Sequence, residues 1–202
     1  MTDSITLEKL DRRGREIVFT QARSANTFAD TPVSDDELAD IWELTRWTPT
    51  SANAQPARVL FIRTAEGKER LLRHMAEGNR AKTASAPVVA VVAYDTHWHD
   101  QLPTVFPIHP EVRDLYITDV ASREKVGRFS AGLQAGAFLL ATRAAGLAAG
   151  PMGGFDTTGV DAEFFTGTTW SALMVVAIGH PGTDPWFDRL PRIDTRDAVT
   201  WA

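Results

Sequence analysis

The amino-acid sequence predicts an α+β or α/β sandwich, and three observations carry that prediction. Short apolar runs at 58–63, 86–95 and 171–181 read as buried strands. Segments with helical spacing lie between them, so helices and strands alternate along the chain. The 202 residues, 44% of them hydrophobic, supply one large core or two small ones.

In chain order, residues 6–23 read as a helix with Leu7, Leu10, Ile17 and Val18 as its apolar positions. In "SDDELADIWELTRW" the helix signal is sharper. Ser34 and Glu37 make a capping box, and Asp35 and Asp36 sit at the positive end of the dipole. Leu38, Ile41, Trp42 and Thr45 follow at helical spacing, and Pro49 stops the run. After the strand at 58–63, "TAEGKERLLRHMAEG" predicts a helix capped by Thr64 and closed by Gly78, with Leu71, Leu72 and Met75 inward. The strand at 86–95 is continuously apolar, which predicts cover on both faces. Residues 96–120 are irregular and rich in aromatics, His and Pro, and read as a cap or lid. Residues 130–150 predict a helix apolar nearly all round, ending near Gly146. Gly132 and Gly136 would let a second backbone approach it, so a dimer interface is expected there. The strand at 171–181 comes next, and the tail "DPWFDRLPRIDTRDAVTWA" reads as an extended arm.

Composition excludes several chemistries. A net charge of −5 argues against a nucleic-acid or anionic-membrane surface. The absence of cysteine removes disulfides, thiolate nucleophiles, Cys-held iron–sulfur clusters and Cys zinc sites. No apolar segment is long enough to span a bilayer, and the twin arginines Arg12 and Arg13 precede too short an apolar stretch for export. A cytoplasmic protein is the expectation. The chain has no G-x-S-x-G, P-loop, G-x-G-x-x-G or H-E-x-x-H. His97 and His99, with Asp95 and Asp100 nearby, lack a third spaced ligand, so no metal is expected. An enzyme built from this chain would rely on a bound cofactor.

Five polar or small-residue segments remain: "ARSANTF" (22–28), "TSANAQP" (50–56), "GNRAK" (78–82), "GPMGGF" (150–155) and "FDRLPR" (187–192). Taken singly, each has a plainer reading as a turn or a solvated surface. Together they match the needs of flavin mononucleotide (FMN). A phosphate takes guanidinium and hydroxyl donors. The ring edge takes amides, and a lysine stabilises negative charge on the reduced ring. Only a Gly-lined turn brings a backbone N–H against N5.

On these residues the sequence resembles the flavin-dependent nitroreductase family over nearly its whole length. The anchors are the Arg-Ser of "ARSANTF", the Ser-x-Asn-x-Gln-Pro of "TSANAQP", the Asn-x-x-Lys of "NRAK", the "GPMGGFD" turn and "RLP". The resemblance implies one FMN-binding domain over 1–202, an α+β fold forming a three-layer α/β/α sandwich, and an obligate homodimer with FMN at the subunit interface. Carried over by position, Arg23, Ser24 and Arg189 would meet the phosphate. Asn26 stands where many members carry a basic residue. Ser51, Asn53 and Gln55 would line the ring and ribityl chain, Asn79 and Lys82 the pyrimidine edge, and Gly153 and Gly154 would pass beneath N5. The implied cycle is ping-pong, with NADH or NADPH as donor and a small carbonyl, nitro compound or quinone as acceptor. Within the family the sequence is similar to the branch that reduces malonic semialdehyde to 3-hydroxypropionate in pyrimidine degradation. That substrate needs a cation, for which Arg58, Arg113 and Arg128 are candidates, and Phe106 and Tyr116 would close the pocket. The other readings are a broad nitro/quinone reductase and a flavin-binding protein without turnover.

Overall fold

The computed structural model describes residues 7–202. Its centre is one antiparallel sheet of four strands: β1 (Ala57–Ile62), β2 (Val88–Asp95), β3 (Ala148–Met152) and β4 (Trp170–Gly179). Their order across the sheet is β1-β2-β4-β3. Alternation along β2 sorts its side chains between two cores. Val89, Val91 and Ala93 face Leu71, Met75 and Val160 on one side. Val88, Ala90 and Val92 face Leu38, Ile41 and Phe138 on the other.

Helices cover both faces, which makes the three-layer sandwich that the sequence predicts. On the first side lie α3 (Ala65–Leu72), α4 (Glu77–Ser85) and α8 (Thr157–Phe164). On the second lie α2 (Asp35–Thr45) and α7 (Val120–Ala144). The capping box of α2 forms in full, with Ser34 Oγ accepting from the Glu37 amide and the Glu37 carboxylate accepting from the Ser34 amide.

Several boundaries differ from the sequence expectation. In place of a helix over 6–23 there is a short α1 (Arg12–Arg15) followed by a π-turn at Glu16–Thr20; residue 6 lies outside the described residues. Gly78 does not close α3 but lies in the first turn of α4. The chain breaks between the two helices because Met75 pairs with Phe155 in an isolated antiparallel bridge. The helix expected at 130–150 begins at Val120, with Asp119 as its cap accepting from Ser122, and ends before Gly146, whose φ is +81°. The chain then enters β3, a strand the sequence reading missed.

The segment after β2 is ordered and mostly helical: a 3-10 turn at Trp98–Gln101, α5 (Leu102–Val105) and α6 (Val112–Thr118). Trp98 and Leu102 are fully buried and form a third apolar cluster with Ala54, flanked by Phe106, Tyr116 and Val126. This cap is therefore packed onto the turn that precedes β1. After β4 the chain makes one isolated antiparallel bridge, Pro181 with Phe28, and then runs to α9 (Thr195–Ala198), with Phe187, Leu190, Ile193 and Trp201 exposed. Among the described residues no helix is long and apolar enough to cross a membrane.

Candidate functional site

Two groups of the expected site residues emerge, at opposite edges of the sheet. The first gathers on β3. Residues 22–28 run beside it through a parallel bridge from Ser24 to Ala149, with the Ala25 amide donating to the Ala149 carbonyl at 2.9 Å. This contact is close because of Gly150: a Cβ there would stand 2.5 Å from the Ala25 carbonyl oxygen and 3.0 Å from Cδ of Lys82. Arg23, Ser24, Asn26, Arg189 and Arg192 line one cavity of about 240 Å³, together with Asp188. One guanidinium nitrogen of Arg23 donates to the Phe187 carbonyl, and one of Arg189 donates to the Thr20 carbonyl at 2.9 Å. Each keeps further N–H donors for a ligand. Arg192 was not singled out from the sequence, although its place three residues after Arg189 in "RLPR" was the available signal.

Asn79 and Lys82 share the inner face of α4. The Asn79 amide donates to the Gly154 carbonyl at 3.0 Å, and the Ala76 amide donates to the same oxygen at 3.0 Å. A Cβ at Gly154 would stand 2.7 Å from Nδ2 of Asn79, so a side chain there would push the Asn79 amide from its present position. Around Gly153 the space is open. Lys82 is half-buried, and its ammonium makes no hydrogen bond or ion pair among the described residues. Desolvation holds its pKa below the usual lysine range. An ammonium without a carboxylate partner and a cavity lined by guanidinium groups share one chemistry, that of donors suited to anions.

The second group lies before β1. Ala52, Asn53 and Gln55 have φ of 49°, 51° and 44°, the left-handed region that non-glycine residues avoid. Each such residue costs about 1–3 kcal/mol and persists only where its surroundings over-determine it. Here they do. The Ser51 amide donates to Ser130 Oγ at 3.4 Å, the Gln55 amide to Thr50 Oγ1 at 3.2 Å and the Ala57 amide to Gln134 Oε1 at 2.9 Å. Asn53 Nδ2 donates to the Val105 carbonyl of the cap at 2.6 Å. Ser130 and Gln134 are buried polar residues of α7 whose supporting role the sequence reading missed. Their signal was visible as polar breaks in an apolar run.

The three arginines expected to meet a substrate carboxylate are each engaged within the chain. Arg58 pairs with Asp95 at 2.9 Å, Arg113 with Asp100 at 2.8 Å and Arg128 with Glu124 at 3.0 Å. Arg128 also stacks over Tyr94, 4.8 Å from its ring centroid. Phe106 and Tyr116 do not stand apart as pocket walls; they pack on the buried Trp98–Leu102 cluster, with Tyr116 4.7 Å from Trp98 between ring centroids. His99 is buried and His97 exposed, and among the described residues no three metal-ligating side chains cluster.

The two groups are far apart within one chain. Gly150 lies opposite Ala177, Ala177 opposite Val89, and Tyr94, five residues along β2, opposite Ala57. Three inter-strand spacings and five residues of strand separate Gly150 from Ala57 by about 22 Å. Between the edges, α7 presents an apolar stripe to solvent: Phe129, Leu133 and Leu140 are 66%, 42% and 38% exposed. Gly132 and Gly136 lie among them with open space at both.

Comparison with known proteins places this architecture. The model of the nitroreductase family matches residues 20–180. A Streptomyces coelicolor protein with the provisional name NADH dehydrogenase/NAD(P)H nitroreductase is 54% identical over 202 residues, covering 100% of both chains. A Streptomyces griseus protein of the same provisional name is 46% identical over 191 residues, covering 95% of this chain and 97% of its own. In structure, the chain is similar to a provisionally named nitroreductase of Exiguobacterium sibiricum solved in complex with FMN. The TM-score is 0.83 at 23% identity, covering 98% of this chain and 100% of that one. With the family model matched over most of its length and a relative identical at more than half of its positions, the chain belongs to the nitroreductase family.

Proposed function

We propose that this protein is an FMN-dependent NAD(P)H oxidoreductase that works as a homodimer. The observation that carries the reading is the β3-edge cluster: Arg23, Ser24, Arg189 and Arg192 line one cavity, Lys82 packs on Gly150 next to the Ala25 carbonyl, and Asn79 donates to the Gly154 carbonyl. These donors suit a phosphate at one end and an electron-rich heterocycle at the other. Arg23, Ser24, Asn26 and Arg189 would hold the phosphate, with Arg192 beside them. Asn79 and Lys82 would hold the ring edge, and the open backbone at Gly153–Gly154 would lie beneath the ring. FMN held there would supply hydride-transfer chemistry between NADH or NADPH and an acceptor.

The chain's own residues position and exclude. Ser51, Asn53 and Gln55 precede β1, at the sheet edge opposite the β3 cluster, so their contribution calls for the turn of a second copy. The apolar stripe of α7 supports that pairing. Arg58, the best buried of the three candidate arginines, is already paired with Asp95, and Arg113 and Arg128 have surface carboxylates beside them, which supports a neutral acceptor such as a nitro compound or quinone. Malonic semialdehyde, which carries a carboxylate, is the less supported substrate. The names of the Streptomyces relatives point the same way.

The test is a visible spectrum of the purified protein with added FMN, followed by NADH or NADPH without oxygen. A flavin spectrum that bleaches on addition is expected. Bound flavin that does not bleach would leave a binding protein without turnover, and absence of FMN binding would end the proposal.

A further inference from the structure

Arg58 was expected to face substrate. The structure gives it another task. Its side chain and that of Asp95 are 25% and 13% exposed, and they meet at 2.9 Å. The other terminal nitrogen of Arg58 donates to the Gln55 carbonyl at 3.0 Å and to the Ala57 carbonyl at 2.9 Å. Asp95 is itself held from several sides. Its second oxygen accepts from Thr169 Oγ1 at 2.5 Å and from the His97 amide at 2.9 Å, and its own amide donates to the Pro56 carbonyl at 2.9 Å. The node thus grips three successive carbonyls, that of the last left-handed residue, Gln55, and those of Pro56 and Ala57. It is anchored to β2 and to the entry of β4.

We infer that Arg58 and Asp95 are a positioning pair that latches the Ser51–Gln55 turn in its left-handed conformation and so presents Ser51, Asn53 and Gln55 to FMN. Strained backbone at a functional turn needs an external clamp. A planar guanidinium that forks between a carboxylate and two carbonyls supplies one that a lysine cannot copy. The ligand named here rests on the FMN reading above; the latch itself does not.

The experiment uses Asp95→Asn, Arg58→Met and Arg58→Lys in the full-length chain. Each is read by amide exchange at Asn53, Ala54 and Gln55 and by FMN titration of the apoprotein. All three variants are expected to lose protection in the turn at least tenfold while the β2 and β4 amides keep theirs. They are also expected to bind FMN at least tenfold more weakly, with an altered visible circular dichroism of the bound flavin. The Asp95→Asn/Arg58→Met double variant should lose little more than either single one, since the two residues act as a unit. Arg58→Lys, which keeps the charge, guards against a variant that fails to fold. Unchanged turn exchange in folded Asp95→Asn or Arg58→Lys overturns the latch. So does an effect confined to the KM of carboxylated substrates, which would return Arg58 to a substrate role. If the parent chain binds no FMN, the function fails but the exchange data still decide the latch.

Discussion

The side chain of Lys82 is half-buried, its Cδ packed against Gly150 and its ammonium without a carboxylate, and desolvation alone lowers its pKa. A nearby anion favours the charged form, so FMN should raise that pKa. By linkage, FMN then binds more weakly as pH rises through the apoprotein value, which lies below 10.5. We expect Lys82→Gln to weaken FMN about tenfold or more near neutral pH, the loss of a charge-assisted hydrogen bond. The variant-to-parent ratio of Kd values should shrink toward alkaline pH; a ratio flat with pH would remove Lys82 from the site. At this scale the sequence was a partial guide. Residue types and order pointed to Arg23, Lys82, Asn79 and Gly154, whose grouping the fold produces. They could not tell a guanidinium that is free from one that is spent, and Arg58, Arg113 and Arg128 look alike until their carboxylates are found.

Among the elements, the cap depends on a buried imidazole. His99 stands edge-on to Trp98, with ring centroids 6.1 Å apart, and desolvation pushes its pKa below the ordinary 6.5. Asp100 opposes that shift, while Arg123, His97 and Arg113 add to it. The folded cap therefore holds His99 neutral. Stability is full above pH 6.5 and falls as acid protonates the unfolded imidazole first, down through the lowered folded value. We expect amide exchange over 98–118, corrected for intrinsic rates, to rise relative to the sheet below pH 6.5, and His99→Asn to flatten that dependence. Equal acid sensitivity in the variant would count against the imidazole. The cap helices were unreadable in sequence because helices of four and seven residues, the first containing Pro103 and the second following Pro107 and Pro110, are too short for a period to show. For β3 the reason differs: "AAGPM" holds two residues that disfavour strands, tolerated because β3 is an edge. The capped α2 and the apolar β1, β2 and β4 were legible because cap, period and burial agree.

For the molecule as a whole, the stripe of Phe129, Leu133 and Leu140 is the feature that a lone chain leaves unexplained. If two copies meet there, Leu133→Asp should shift sedimentation from dimer to monomer at micromolar concentration. It should also weaken FMN binding sharply, although Leu133 is on neither edge cluster. A monomeric parent, or a monomeric variant with unchanged FMN affinity, would break the link between assembly and cofactor. The sequence predicted the layers correctly because patterning decides them. Which edge each polar segment occupies follows from strand order, and strand order is set by long-range pairing that no local window contains.

That strand order also bears on synthesis. The sheet consists of two neighbouring pairs, β1 with β2 and β3 with β4, sewn together by the β2–β4 seam. A nascent chain that has released β2 therefore exposes an eight-residue ribbon of almost wholly apolar composition along one unsatisfied edge. It remains so until the ribosome has delivered β4, late in translation. The most cohesive strand of the finished protein is thus its most adhesive one beforehand, and the lag before its neighbour arrives sets the demand on chaperones.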